Sequence, residues 1–152
     1  EPWDTKMDNG MTVGEYAKAT MLDEIERAVI LCNKADEYDV PALTDDEEKQ
    51  CASKAEDYMA SIGEDIATQF SVEQSAVLAI YEKDALSMKV YNQILENLSE
   101  TLRQEDDYKD MEDSEFEQVL NDKFEEQYAQ WKDTCKVETT ETWEQLVIGA
   151  VG

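Results

Sequence analysis

The chain has no histidine, and only thirteen basic residues stand against thirty-eight acidic ones, a formal charge of -25 over 152 residues. Without histidine it lacks the commonest general base and the commonest transition-metal ligand. With so few Lys and Arg it is unsuited to bind nucleic acid or an anionic membrane directly, since those surfaces are themselves negative. Glycine and proline are scarce, at five and two, which argues for long regular elements joined by short connections. Long apolar runs are missing too. The longest is Ala76 to Tyr81, far short of the ~18 residues that a membrane span requires. No secretory leader pattern is visible, and cytoplasmic and exported locations both stay open. Oligomeric state is not legible.

What is present is a hydrophobic content of 41% arranged with helical periodicity, so the charge is not read as disorder. The expectation is an all-α fold: one domain over residues 1–152, with four long antiparallel helices in a bundle and a short fifth at the C-terminus. Residues 1–11 read as an irregular arm. Thr12 with Glu15 forms a capping box, and Val13, Ala17, Met21, Ile25, Ala28, Cys32 and Ala35 follow as one stripe ending near Tyr38. Thr44 with Glu47 is a second box, followed by Cys51, Ala55, Tyr58, Met59, Ile62, Ile66 and Phe70, with Gly63 a place for a mild kink.

Ser71 with Gln74 reads as a third box. The helix behind it reaches toward Arg103, a rod of roughly 50 Å, with a break near Asp84–Ser87 as an alternative. Its first part, Ala76–Tyr81, is apolar all round and therefore expected at the centre of the bundle, with Leu78 and Ile80 deeply buried. Its second part is one-sided: Val90, Tyr91, Ile94, Leu95, Leu98 and Leu102. Ser114 with Glu117 is a fourth box, ahead of Phe116, Leu120, Phe124, Tyr128, Trp131 and Cys135. Thr142 with Gln145 marks the short fifth helix, carrying Trp143, Leu146, Val147 and Ala150.

Four constellations bear on chemistry. Cys32 and Cys51 lie at similar heights if the first two helices form a hairpin, so a disulfide between them is geometrically allowed; the alternative is three buried thiols, Cys135 included, acting as small hydrophobes. Asp106, Tyr108, Asp110, Ser114 and Glu117 echo the spacing of a helix–loop–helix calcium loop, but Tyr108 and Met111 occupy positions that want an oxygen ligand and a glycine. In a chain that is a quarter Asp and Glu such echoes arise by chance, and the expectation is no metal and no cofactor. The carboxylates fall mostly on polar faces, so no catalytic set emerges and an enzyme is not expected. Trp3, Trp143 and Tyr108 stand outside the long stripes, either as contact anchors or as packing of the termini and loop onto the bundle.

The acidity itself carries the functional expectation. Unpaired like charges destabilise a compact chain, which points to a use beyond folding. The expected function is a non-catalytic binding or inhibitory protein that docks on a basic protein surface, one form of this being mimicry of a nucleic-acid backbone. The expected contact residues are Asp45, Asp46, Glu47, Glu48, Glu105, Asp106, Asp107, Tyr108 and Asp110, with Trp3 or Tyr108 as apolar anchor. The alternative is an exported helical domain stapled by Cys32–Cys51, whose acidity serves solubility; a calcium-binding module or an enzyme stands third.

Overall fold

A computed structural model describes residues 2–147, and among these the chain is helical without β-strands. A single turn of 3-10 helix, Pro2–Asp4, precedes α1 (Val13–Asn33), α2 (Asp45–Gln69), α3 (Gln74–Leu102), α4 (Asp113–Thr134) and α5 (Glu141–Gln145). The helices pack as a bundle. Ala150, expected on the fifth helix, lies outside the described residues.

Both boxes that open the first two helices form. The Glu15 backbone N–H donates to Thr12 Oγ1 at 3.1 Å and the Thr12 N–H to Glu15 Oε2 at 2.8 Å. The Thr44/Glu47 pair repeats this at 3.3 and 2.7 Å. The other two expected boxes do not form. Ser71 sits in the left-handed region at φ 52, two residues past the end of α2 and next to its C-cap Phe70. The Val72 N–H donates to the Ala67 carbonyl and the Ser71 N–H to that of Thr68, the paired bonds of a Schellman motif. Ser71 thus ends one helix instead of starting the next, and α3 begins behind Glu73 with no side-chain cap. Similarly α4 begins behind Glu112 without a side-chain cap, so Ser114 lies inside its first turn. The short fifth helix is capped by Thr140, which accepts from the Trp143 N–H at 3.3 Å, and not by Thr142.

Gly63 breaks α2 more sharply than a mild kink, with φ 77 and ψ 163 inside the helix. By contrast α3 runs its full 29 residues unbroken, about 43 Å at 1.5 Å per residue. It is the central helix, packed against α1, α2 and α4. Its pairing with α1 ascends in parallel: Met21 and Ile25 line one hollow with Ala79 and Ile80, while Leu31 lines the next with Ser87 and Tyr91. Its pairing with α4 is antiparallel, from Tyr91 against Phe124 to Arg103 against Phe116.

The main core gathers Ile30 and Leu31 of α1, Val40 of the connection, Val90 and Ile94 of α3, and Phe124 and Tyr128 of α4. Tyr91 meets Phe124 edge-on at 4.7 Å between centroids, and Arg27 lies over both Phe124 and Tyr128. Val40 enters this core because the turn before it closes like that after α2, with Asp39 at φ 53 and the Val40 N–H donating to the Ala35 carbonyl. The stripes of α4 and of the second half of α3 are therefore buried as their spacing implies.

The first half of α3 is buried only in part, at Val77. Ile80 is 68% exposed and Leu78 only half-buried. Met21 and Ile25 on α1, and Tyr58, Ile66 and Phe70 on α2, are exposed as well. The reason is coverage. Returning from the loop after α3, α4 reaches back along α1 only to Arg27 and Asp23, and beyond that level the face shared by α1 and α3 has no helix above it.

Candidate functional site

The first acidic stretch caps α2. Asp45, Asp46 and Glu48 are exposed around its N-terminus, where carboxylates are favoured by the helix dipole. Asp46 meets Lys49 at 3.6 Å on the open surface. Glu47 differs. It accepts from the Thr44 N–H and pairs with Lys89 of α3 at 2.9 Å. The Thr44 backbone bond, then Lys89, holds its carboxyl below the usual range. Glu47 therefore ties α2 to α3.

The second stretch is the loop between α3 and α4. Here the organising residue is Arg103, which the sequence reading did not single out. One guanidinium nitrogen donates to the Tyr108 carbonyl at 3.0 Å and the Met111 carbonyl at 2.8 Å. The other pairs with Asp113 at 2.9 Å, and the plane lies 3.7 Å from the centre of the Phe116 ring. This fork fixes the chain at Met111 and Asp113, and α4 starts at Asp113, one residue before Ser114. Tyr108 is half-buried over this latch, while Glu105, Asp106, Asp107 and Asp110 point outward. Asp106 meets Lys109 at 2.9 Å. Where the calcium-loop spacing would seat a cation, a guanidinium already holds the loop carbonyls. Among the described residues no three Asp, Glu or Cys side chains gather as metal ligands would.

The structure does not bring the expected contact residues together. Glu47 is level with Lys89, and from there to Arg103 is about 21 Å of helix. Trp3 packs at the start of α1, at the opposite end of the bundle. The Met21–Ile80 level is already about 35 Å from Arg103 along α3. Trp3 therefore anchors neither acidic cluster.

The structure holds Cys32 and Cys51 as free thiols and not as a bonded pair. α1 and α2 flank α3 and scarcely touch each other. Cys32 directs its thiol to the Lys83 carbonyl of α3 at 3.3 Å, Cys51 is buried, Cys135 is exposed, and all three are free. Burial raises the Cys32 thiol above its ordinary value.

Two other groups escaped the sequence reading. Lys132 of α4 reaches Asp23 at 3.1 Å and Glu26 at 3.7 Å, the latter largely buried with one carboxylate oxygen lacking a hydrogen-bond partner. The fifth helix is held to α1 by Lys18, whose ammonium donates to the Glu144 carbonyl and faces the Trp143 ring.

A broad concavity also lies away from the acidic clusters. It is a furrow of about 550 Å³ between α1 and the first half of α3, continuous at Glu24, Ala28 and Asp84 with a smaller hollow of about 370 Å³ below Tyr91. No helix of the described residues is long and apolar enough to cross a membrane. No protein-family model matches this chain, and comparison with curated proteins and with solved structures likewise gives no match.

Proposed function

We propose that this chain is a non-catalytic binding protein whose surplus of carboxylates docks on a basic protein surface. The observation that supports it is charge left over after folding. Even if every basic residue took one carboxylate, twenty-five would remain. Most cations are already committed to internal ties such as Arg27–Glu125, Lys89–Glu47 and Arg103–Asp113. Two exposed groups are placed for contact: Asp45, Asp46 and Glu48 at the start of α2, and Glu105, Asp106, Asp107 and Asp110 on the latched loop. An excess of this size raises the encounter rate with a cation-rich surface and repels nucleic acid and anionic lipid.

The test is salt-resolved capture from a lysate, followed by kinetics on any protein retained. Reversal of Asp45, Asp46 and Glu48 to Lys, and separately of Glu105, Asp106 and Asp107, is expected to slow association at low salt while leaving the melting temperature near its starting value. Competition by added DNA identifies the mimicry form of the reading. Binding indifferent to salt and to both reversals removes the electrostatic reading and leaves the acidity as a solubility trait.

A further inference from the structure

The furrow between α1 and α3 has an apolar floor of Met21, Ile25 and Val29 from one helix and Ala79 and Ile80 from the other. Met21, Ile25 and Ile80 are 42%, 50% and 68% exposed, so the floor faces water instead of closing on itself. Its rim is charged. Glu24 and Asp84 stand where the furrow joins the smaller hollow, and Lys83 stands beside them. Neither Glu24 nor Asp84 is in an ion pair among the described residues.

Three candidate occupants can be separated by charge. A second copy would bring another -25 against the first, a repulsion that opposes association. An anionic membrane surface is repelled on the same ground. A segment with an apolar stripe and Lys or Arg beside it gains on both counts: its stripe covers the floor and its cations meet Glu24 and Asp84. The floor spans Met21 to Val29, about two turns of helix or 12 Å, which matches the i, i+3, i+4, i+7 anchors by which an amphipathic helix seats in a groove. The volume lies within the range of sites that bury a compact set of apolar groups.

We propose that this furrow receives an amphipathic, basic helix of the protein partner, its apolar stripe on Ile25 and Ile80 and its cations at Glu24 and Asp84. The proposal rests on the basic-partner reading above and adds the place of the apolar anchor, which neither acidic cluster supplies.

The probe is a synthetic helical peptide with Leu at i, i+3, i+4 and i+7 and Lys on the other face. Two controls accompany it: the same composition with scattered Leu, and the striped peptide with Glu for Lys. Binding to the full chain is followed by calorimetry. The striped Lys peptide is expected to bind at least tenfold more tightly than the scattered one. Ile25→Ser with Ile80→Ser is expected to lose at least tenfold; both positions are half or more exposed, so an unchanged melting curve verifies the fold. Glu24→Gln with Asp84→Asn is expected to lose severalfold and to flatten the salt dependence. Equal binding of striped and scattered peptides, or indifference to the Ile25 and Ile80 changes, overturns the furrow as the anchor while leaving the acidic-surface reading standing. Equal binding of the Glu peptide overturns the basic partner itself. Two further outcomes overturn the proposal by naming another occupant: self-association abolished by Ile80→Ser, or methyl signals of Ile25 and Ile80 that shift when residues 148–152 are removed from the peptide-free protein.

Discussion

Ile94→Ala and Ile80→Ala remove the same atoms from the same helix, and the structure makes their costs unequal. Ile94 is fully buried in the core formed with α1 and α4. Its truncation loses the transfer energy of the deleted carbons and leaves a cavity, together about 2–5 kcal/mol. Ile80 is 68% exposed, so only about a third of its side chain is withdrawn from water. Complete burial of such a side chain is worth about 1.5–3 kcal/mol, which leaves about 0.5–1 kcal/mol at stake and no cavity to add. Out of a total stability of about 5–15 kcal/mol for a domain, the first loss is large and the second small. Urea unfolding followed by far-UV circular dichroism measures both, as a shift of midpoint at constant slope. Equal losses would refute the reasoning, because they would mean that a covering element closes the furrow in the free protein.

Arg103→Lys is expected to cost about 1–3 kcal/mol, because a point charge cannot hold two carbonyls and Asp113 as a fork does; faster hydrogen exchange in the 104–112 loop is the readout. Thr44→Ala should cost about 1 kcal/mol through the lost cap. The Glu47 carboxyl is held below its ordinary value by the Thr44 N–H and Lys89, so its contribution is complete above the unfolded pKa and fades as pH falls through the lower folded one. Glu47→Gln should flatten that acid limb of the stability curve. Ser71→Gly should stabilise by about 0.5–1 kcal/mol, since glycine relieves the left-handed residue but adds freedom to the unfolded chain; the urea midpoint decides. Thiol titration of unreduced, unfolded protein should find three free thiols, with Cys135 reacting first in the native state; a single free thiol would reinstate the Cys32–Cys51 bond.

Helix class, number and approximate limits were legible in the chain because they rest on local effects. Capping at Thr12 and Thr44 involves residues three apart. The 3.6-residue spacing of Phe116, Phe124 and Tyr128 marks a face whatever lies opposite. Ser71 and Ser114 misled for a related reason. A Ser-x-x-Gln or Ser-x-x-Glu spacing permits a cap, but Ser71 takes a left-handed backbone angle and Ser114 falls inside the first turn of α4.

Which apolar faces were buried depended on coverage, and coverage is tertiary. Ala76–Tyr81 is the most apolar run in the chain, yet Ile80 stands open, because α4 turns back only as far as Arg27 and Asp23. Cys32 and Cys51 have hairpin spacing, yet α3 stands between their helices. The acidic clusters have similar sequence character, but Glu47 pairs with Lys89 across to α3, while Asp45, Asp46 and Glu48 stay on the open surface, Asp46 beside Lys49. Composition alone set the charge and so the kind of surface this protein can approach. Only the packing of α1, α2 and α4 around α3 decided where that charge is unspent and where an apolar floor is left beside it, since a stripe or a carboxylate is satisfied by the neighbour that reaches it.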